Sequence, residues 1–556
     1  MRSYPTWPNL AAMMFDRART WPNRPMLRCY RNGAWHGINW SEFARMAASC
    51  ARNLRAAGVS AGDRVLICSE NRPEYPIAET ALMAIRAVPV PAYTTNTVAD
   101  HAHLLKDAGI RAAIVSNGTL AAKIAQAGEL DLLVRMDDAS WSDLVADTAP
   151  PDDIAAEATT IPPTALACLI YTSGTGGAPK GVMLPHRAIL SNMQGAFILL
   201  KPLKMEDEVY LSYLPASHAY EHTIGGFYLP SAGTEIVYAR GTEHLAADML
   251  TIRPTIMTMV PRVLETIRAR ILVQLGRQKP SRQKLFHRAL DLGLKRISGS
   301  RLTLTERILD PILDRLVRAK VRNRFGGRMI AVVSGGARLE PEVGRFFMAL
   351  GLPVIQGYGQ TEAGPIISGN PPDAIRVETV GTALVGVDLK LAEDGEILVR
   401  GNLVMDGYWG RPDDTQSAIQ DGWLHTGDIG TLDRAGYLTI TDRKKDMIVL
   451  SGGDNISPAR IEGLLMGEPA IAQAVIAGDG RAAPIALLVP AEGFDDVAVA
   501  IAVSEVNRRL SVVERIRQHA VVEPFTVENG LLTPTLKIRR MLAIRANADA
   551  LAKLHR

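Results

Sequence analysis

The sequence predicts an α/β fold, and three observations carry that expectation. Short β-branched runs end in glycine loops and are each followed by a helix-like stretch. Between GEILVRG and DRKKD, closely spaced short strands with turns at Asp394-Gly395, Asp421-Gly422 and Arg434-Ala435-Gly436 read as a β-meander or barrel. A charged break from Asp442 to Asp446 then precedes about 110 residues of smaller α/β pattern.

In chain order, the run ALACLIYT leads into the loop SGTGGAPKG and then a helical pattern after His186. Later, RMIAVVSGG leads into the helix EPEVGRFFMAL and the strand PVIQGYG. Both glycine loops follow strands, and ligands of open parallel sheets bind at the carboxyl ends of strands, so the two loops are expected to line one crevice. No internal repeat or low-complexity tract interrupts this order.

The 556 residues carry 62 Lys+Arg against 58 Asp+Glu, a net charge of +4, and are 47% hydrophobic and 22% charged. Those values fit a globular chain of more than one domain that needs no disulfide staples. Cys29, Cys50, Cys68 and Cys168 form no C-x-x-C pair, which speaks against a disulfide framework or a structural zinc site and for reduced thiols in a cytoplasm. The N-terminal stretch MRSYPTWPNLAAMMFDRART has no charged head before an apolar run, so neither secretion nor membrane spanning is expected.

The small net charge hides a local imbalance. From Arg268 to Arg328 there are 17 Lys+Arg and four acids (Asp291, Glu306, Asp310, Asp314), a net +13; what remains is 45 bases against 54 acids. An acidic body with one basic segment argues against a nucleic-acid-binding protein and for local contact with phosphates, anionic lipid or an acidic partner. Within the segment, Ile308, Leu309, Ile312, Leu313, Leu316, Val317 and Val321 recur at helical spacing opposite Arg315, Arg318, Arg322 and Arg324, the pattern of an amphipathic helix. It is either a packing helix with a solvated basic face or a peripheral contact with anionic lipid.

Three clusters carry chemistry. In YTSGTGGAPKGV, Tyr171 to Val182, glycines free backbone N–H groups to curl around an anion. Thr172, Ser173 and Thr175, with Tyr171, add hydroxyls, and Lys180 adds a point charge. It reads as a phosphate cradle, but not a Walker A loop, since Pro179 and Gly181 stand where G-K-[ST] needs a glycine and a hydroxyl. The second cluster is SGGARLEP with IQGYGQTEAG. Its adjacent glycines let a flat base lie against the backbone, Tyr358 offers a stacking face, and Glu362 is a hard oxygen ligand suited to Mg²⁺. The third is DGWLHTGDIG, where Asp428 can accept from ribose hydroxyls, with Arg443 fifteen residues on as a second polar anchor. Taken singly, these could equally be an ordinary turn, a hairpin acid and a surface arginine.

Together the strings resemble the adenylate-forming (AMP-binding) superfamily of acyl-CoA synthetases, luciferases and peptide-synthetase adenylation domains. YTSGTGGAPKG, LSYLPASHAYEH, GYGQTEAG, GEILVRGNLVMDGYW, DGWLHTGDIG, DRKKDMIVLSGGDNISPARIE and LLTPTLKIRR stand in that family's order along nearly the whole chain. The long insert before Arg328, TDRKKD with SGGDNISP, and TPTLK look most like its long-chain fatty acyl-CoA synthetase branch.

The resemblance implies a large N-terminal domain, 1–441, of doubly wound sheets plus a small β-barrel, with the basic insert at about 268–328, and a smaller mobile α/β domain, 442–556. It implies ATP-dependent activation of a fatty acid to an acyl-adenylate, then transfer to coenzyme A, with Mg²⁺ on Glu362. Thr172, Ser173, Gly174, Thr175 and Lys180 would hold phosphates. Gly335, Gly336, Ala337, Gly357, Tyr358, Gly359, Thr361, Asp428 and Arg443 would hold the rest of the nucleotide. Lys537 matches a mobile lysine that bridges the acyl carboxylate and the α-phosphate, and Lys445 a hinge. After rotation about that hinge Ser451, Gly452 and Gly453 would line a pantetheine tunnel in place of Lys537. His218 matches a position beside the acyl carbonyl.

Two positions depart from the family. Gly176 stands where threonine or serine is usual, which removes one phosphate hydroxyl, and His222 replaces an arginine. His218, Glu221 and His222 also spell H-x-x-E-H, an inverted zinc-protease string, but no third ligand is set among helical neighbours. The rival readings are a ligase for another carboxylate or with acyl carrier protein as acceptor, a silent nucleotide- or acyl-binding protein, and the zinc hydrolase. Chain length and oligomeric state, a dimer included, stay open.

Overall fold

The computed structural model describes residues 4–172, 178–452, 454–533 and 538–554. Ser173, Gly174, Thr175, Gly176, Gly453 and Lys537 lie outside the described residues. By its contacts the chain divides into two compact units: Met1–Thr172 with Pro179–Leu389 and Val399–Leu424, and Lys390–Leu398 with His425–Arg556.

The first unit is built on a nine-stranded sheet. From one edge its strands are Thr382–Ala383, Ile366–Gly369, Val354–Gly359, Ala331–Ser334, Ile256–Met259, Val209–Ser212, Glu235–Tyr238, Pro25–Arg31 and Ala34–Asn39. The six from Val354–Gly359 to Pro25–Arg31 are parallel, and antiparallel strands close both edges. Such strands are covered on both faces and so read as short continuous apolar runs, as AVVS does at 331–334. Helix Pro341–Ala349 makes the expected crossover between Ala331–Ser334 and Val354–Gly359. A second, fully parallel sheet orders Val88–Ala92, Arg64–Cys68, Ala112–Val115 and Leu132–Arg135.

The first glycine loop departs from expectation. Leu166–Thr172 pairs antiparallel with Lys180–Pro185, which pairs in turn with Gly407–Tyr408. The loop therefore joins the two arms of a hairpin rather than a parallel strand and a helix. The missed strand is KGVMLP, whose Val182, Leu184 and Pro185 are buried; helix His186–Leu200 starts directly after it.

The basic segment folds as helices Pro261–Gly276, Pro280–Ile297 and Leu304–Leu313, a wider turn Asp314–Arg318, and helix Ala319–Arg324. The seven apolar residues do not share one face. Leu313, Val317 and Val321 enter the core with Ala289, Leu292 and Phe347, whereas Ile308 (71% exposed), Ile312 (49%) and Leu316 (45%) face solvent. Arg318 is not on a solvated face either: it is buried, pairs with Asp310 at 2.7 Å and donates to the Ala289 carbonyl at 2.9 Å. At about 3.6 residues per turn the seven spread over roughly 220° of the helix, too wide an arc for one buried face; the side with Ile308, Ile312 and Leu316 meets solvent and the side with Leu313, Val317 and Val321 meets the core.

In the second unit, strand Leu438–Arg443 pairs with the end of Trp423–Leu432 around the Arg434-Ala435-Gly436 turn. The Asp394-Gly395 turn joins Asp388–Leu391 to Glu396–Arg400, and the Asp421-Gly422 turn, which belongs to the first unit, joins Ile419–Gln420 to the start of Trp423–Leu432. Beyond the charged break, Ile471–Ala477 pairs antiparallel with Ile485–Pro490, which pairs parallel with Gln518–Val521. Ile461 and Leu465 of helix Pro458–Met466 and Val499 and Val506 of helix Asp496–Arg508 share the core built against Ile476 and Leu488. No helix among the described residues is long and apolar enough to cross a membrane.

Candidate functional site

In the first unit, the carboxyl ends of four adjacent parallel strands carry most of the expected residues. Val209–Ser212 leads to His218, Ile256–Met259 to Val260, Ala331–Ser334 to Gly335 and Gly336, and Val354–Gly359 to Thr361 and Glu362. This is where ligands bind in open α/β sheets.

The backbone there is packed to glycine tolerance. A Cβ on Gly359 would sit 1.8 Å from the Pro365 carbonyl oxygen, so no other residue fits without moving the turn. Gly335 faces the Tyr220 ring, where a Cβ would come within 3.1 Å, and the Tyr220 hydroxyl donates to the Val333 carbonyl at 3.0 Å. Gly336 takes φ +80, the left-handed region. Ala337 is exposed; Gly357 and Tyr358 are half-buried.

Glu362 is half-buried and accepts from the Tyr408 hydroxyl at 2.9 Å. Burial and that carboxylate hold the Tyr408 phenol protonated, well above its ordinary range. The Tyr408 ring also lies 5.0 Å from the Lys180 ammonium, which pairs with Asp414 at 2.6 Å. Lys180 stands opposite half-buried Thr172 on the hairpin. One tyrosine thus touches both the expected phosphate lysine and the expected metal carboxylate. Asn192, from the helix after the hairpin, fixes the Glu362 turn by donating to the Ala363 carbonyl at 2.9 Å and accepting from the Ile366 N–H at 2.6 Å. Sequence reasoning missed Tyr408, Asp414 and Asn192; only the Tyr408 aromatic within DGYW offered a signal.

The structure corrects the expectation that Tyr171 adds a phosphate hydroxyl. The tyrosine is buried and donates to Asp107 at 2.7 Å.

His218 is half-buried at the start of the short helix Ala219–Thr223. Its Nδ1 accepts from the Tyr220 N–H at 3.2 Å, which in the neutral ring leaves the proton on Nε2. The residues after it are tied inward. Glu221 accepts from Tyr210 at 2.5 Å, Ser212 at 2.6 Å and Thr258 at 3.0 Å, and burial pushes its carboxyl up to about 7. His222 Nε2 meets Glu79 at 2.7 Å in the core, and its ring stands edge-on to Phe227. The H-x-x-E-H string is therefore spent on internal hydrogen bonds, and no three His, Cys, Asp or Glu gather to hold a metal among the described residues. A lone carboxylate such as Glu362 still suits Mg²⁺, which keeps several waters and takes substrate phosphates.

In the second unit, Asp428 is buried and stands opposite Arg443 on the hairpin, whose Nε donates to Asp428 at 2.9 Å. The two anchors read from sequence are one ion pair. Lys444 bonds Asp394 at 2.6 Å and Glu396 at 2.9 Å. Lys445 is exposed in the turn that follows Leu438–Arg443 and makes no ion pair among the described residues. Gly452 lies exposed in a loop closed by Leu450 N–H to the Asp454 carbonyl at 2.9 Å.

The profile of the AMP-binding enzyme family matches residues 14–409, and that of the AMP-binding enzyme C-terminal domain matches residues 445–554. The chain belongs to the AMP-binding enzyme family. Among its relatives, the long-chain-fatty-acid–CoA ligase FadD15 of Mycobacterium tuberculosis is 31% identical over 98% of this chain and 97% of its own. Long chain acyl-CoA synthetase 1 of Arabidopsis thaliana is 29% identical over 88% of this chain and 83% of its own. Among solved structures, ATP-bound MatB from Rhodopseudomonas palustris superposes with TM-score 0.76 at 24% identity, covering 98% of this chain and 100% of that one. The O-succinylbenzoate coenzyme A synthetase of Bacillus subtilis with ATP and magnesium ion gives 0.73 at 22% identity, covering 95% and 98%. The mixed α/β architecture with a smaller C-terminal part is thus that of AMP-binding enzymes.

Proposed function

We propose that this AMP-binding enzyme is a long-chain fatty acid–CoA ligase: it converts a fatty acid and ATP to an acyl-adenylate and diphosphate, then transfers the acyl group to coenzyme A, releasing AMP. An ionised carboxylate is a poor acylating agent, and the adenylate gives it a leaving group. The observation that carries the reading is the convergence of His218, Gly335-Gly336 and Glu362 at the carboxyl ends of adjacent strands, in a chain alike over its full length to a named ligase of this class.

The residues divide the work by chemistry. Thr172, Ser173, Gly174, Thr175 and Lys180 hold the phosphates. Gly335, Gly336 and Ala337, with Gly357, Tyr358, Gly359 and Thr361, accept the flat base and position the α-phosphate. Asp428, kept in place by Arg443, accepts from the ribose hydroxyls. Glu362 would hold Mg²⁺, which neutralises phosphate oxygens. Lys537 stabilises charge as the carboxylate oxygen attacks the α-phosphorus and diphosphate leaves. The chain then turns about Lys445, between a domain ending at 441 and one beginning at 442, and Gly452 and Gly453 admit the narrow thiol chain. His218 shapes the acyl and thiol channel. The enzyme works in the cytoplasm at the inner membrane face, where long acyl chains partition.

The test is a panel of carboxylates of graded chain length, with and without coenzyme A and with acyl carrier protein as the alternative acceptor. Long saturated acids should give acyl-CoA with AMP stoichiometrically. Preference for an aryl or short acid, or transfer to the carrier protein alone, would overturn the substrate assignment.

A further inference from the structure

The wide apolar arc of the basic segment's last helices leaves an unusual surface. Leu304 (78% exposed), Ile308 (71%), Ile312 (49%) and Leu316 (45%) follow one another at four-residue spacing and face solvent. Exposed Arg301, Arg307, Arg315 and Lys320 border them and make no ion pair among the described residues. The acids of the same stretch are withdrawn. Glu306 and Asp310 are buried against Lys295, Arg296 and Arg318, and Asp314 is held by Arg322 at 2.7 Å. The outward face is therefore apolar in its middle and of one sign at its rim, while Leu313, Val317 and Val321 anchor the other side in the core.

We infer that the stripe Leu304, Ile308, Ile312 and Leu316, rimmed by Arg301, Arg307, Arg315 and Lys320, is a docking face for an anionic lipid bilayer. Aliphatic side chains of this spacing enter the boundary between headgroups and acyl chains, and the cations meet lipid phosphates. A soluble acidic partner would satisfy the rim but leave four aliphatic residues in water. The inference deepens the long-chain reading, since such a substrate resides in the bilayer, but it does not need catalysis to be observed.

The experiment is co-sedimentation of the full chain with vesicles of phosphatidylcholine alone or of equal parts phosphatidylcholine and phosphatidylglycerol, without ATP or coenzyme A. The chain should pellet with the anionic vesicles only, less so as salt rises. Ile308→Ser/Leu316→Ser and, separately, Arg307→Glu/Arg315→Glu should each weaken binding by about tenfold or more, with unchanged melting temperature because all four residues are exposed. Equal binding to neutral vesicles, no binding, or no effect of either pair overturns the assignment. So does a dimer in solution that Ile308→Ser/Leu316→Ser dissociates, which would make the face the seat of a second copy. Failure here leaves the carboxylate panel, and the ligase reading, untouched.

Discussion

The Tyr408 hydroxyl donates to Glu362 at 2.9 Å while its ring sits 5.0 Å from the Lys180 ammonium. The carboxylate assigned to Mg²⁺ and the lysine assigned to phosphate are thereby set by one side chain from a strand that neither belongs to. Tyr408→Phe keeps the ring beside Lys180 but removes the donor that orients the Glu362 carboxylate. A hydrogen bond to a charged group contributes about 1.5–3 kcal/mol, so diphosphate release should need roughly tenfold more Mg²⁺ at half-saturation, with the melting temperature little changed. An unaltered Mg²⁺ titration would remove Tyr408 from the site.

Glu221 gives a pH signature. Its carboxyl is raised from the ordinary 4.5 to about 7 by burial, so the folded state binds the proton more tightly than the unfolded chain does. The associated stability is fully present below about pH 4.5 and is lost as pH rises through about 7, an amount of order 3 kcal/mol. Buried His186, lowered to about 3, acts oppositely and loses stability as pH falls below its unfolded value. The difference between wild type and Glu221→Gln isolates the first effect. Thermal melts across this range should show the wild type losing ground to the variant as pH rises; parallel curves would contradict the burial argument.

Glycines at the two loops should behave differently. Gly359→Ala forces a Cβ to 1.8 Å from the Pro365 carbonyl, so urea unfolding should show a loss of about 3 kcal/mol and ATP-dependent activity should disappear. Among the described residues the Cβ of Gly452→Ala meets the Asp454 carboxylate at 3.5 Å, ordinary van der Waals contact, and the variant should fold within about 0.5 kcal/mol of wild type. If Gly452→Ala slows acyl-CoA formation while sparing adenylate formation, the thiol-channel role stands; equal effects on both steps would count against it.

Lys445 is exposed in a turn whose backbone N–H bonds, among the described residues, come from Lys444, Asp446 and Met447. Proline at 445 therefore removes none of those bonds but fixes φ. Lys445→Pro should keep single-turnover adenylate formation within a few-fold and lower acyl-CoA formation about a hundredfold, the separation expected of a blocked turn between two steps. Proportional loss of both rates would deny Lys445 the hinge.

The strand-loop-helix-strand order around Gly335 and Glu362 was legible because parallel strands are continuous apolar runs and their glycine loops stand out. The hairpin of the phosphate loop was not, because KGVMLP is too short and too near His186 to separate from the helix that follows. The faces of residues 304–324 are hard to read for a different reason: the apolar positions cover more than half of the helix circumference, and sequence does not show which part of that arc the core takes. Tyr171 looked like a donor because sequence shows a hydroxyl but not Asp107, 64 residues away, that takes it. Asp428 and Arg443 were each found singly; their pairing follows from a strand register that only the fold fixes.

The most direct test of the account is fatty acid-dependent diphosphate release by the full chain, compared with Lys537→Ala. The account predicts release that requires the acid and falls by about a hundredfold or more in the variant, with the melting temperature preserved. Release independent of added acid, or undiminished in Lys537→Ala, would contradict it.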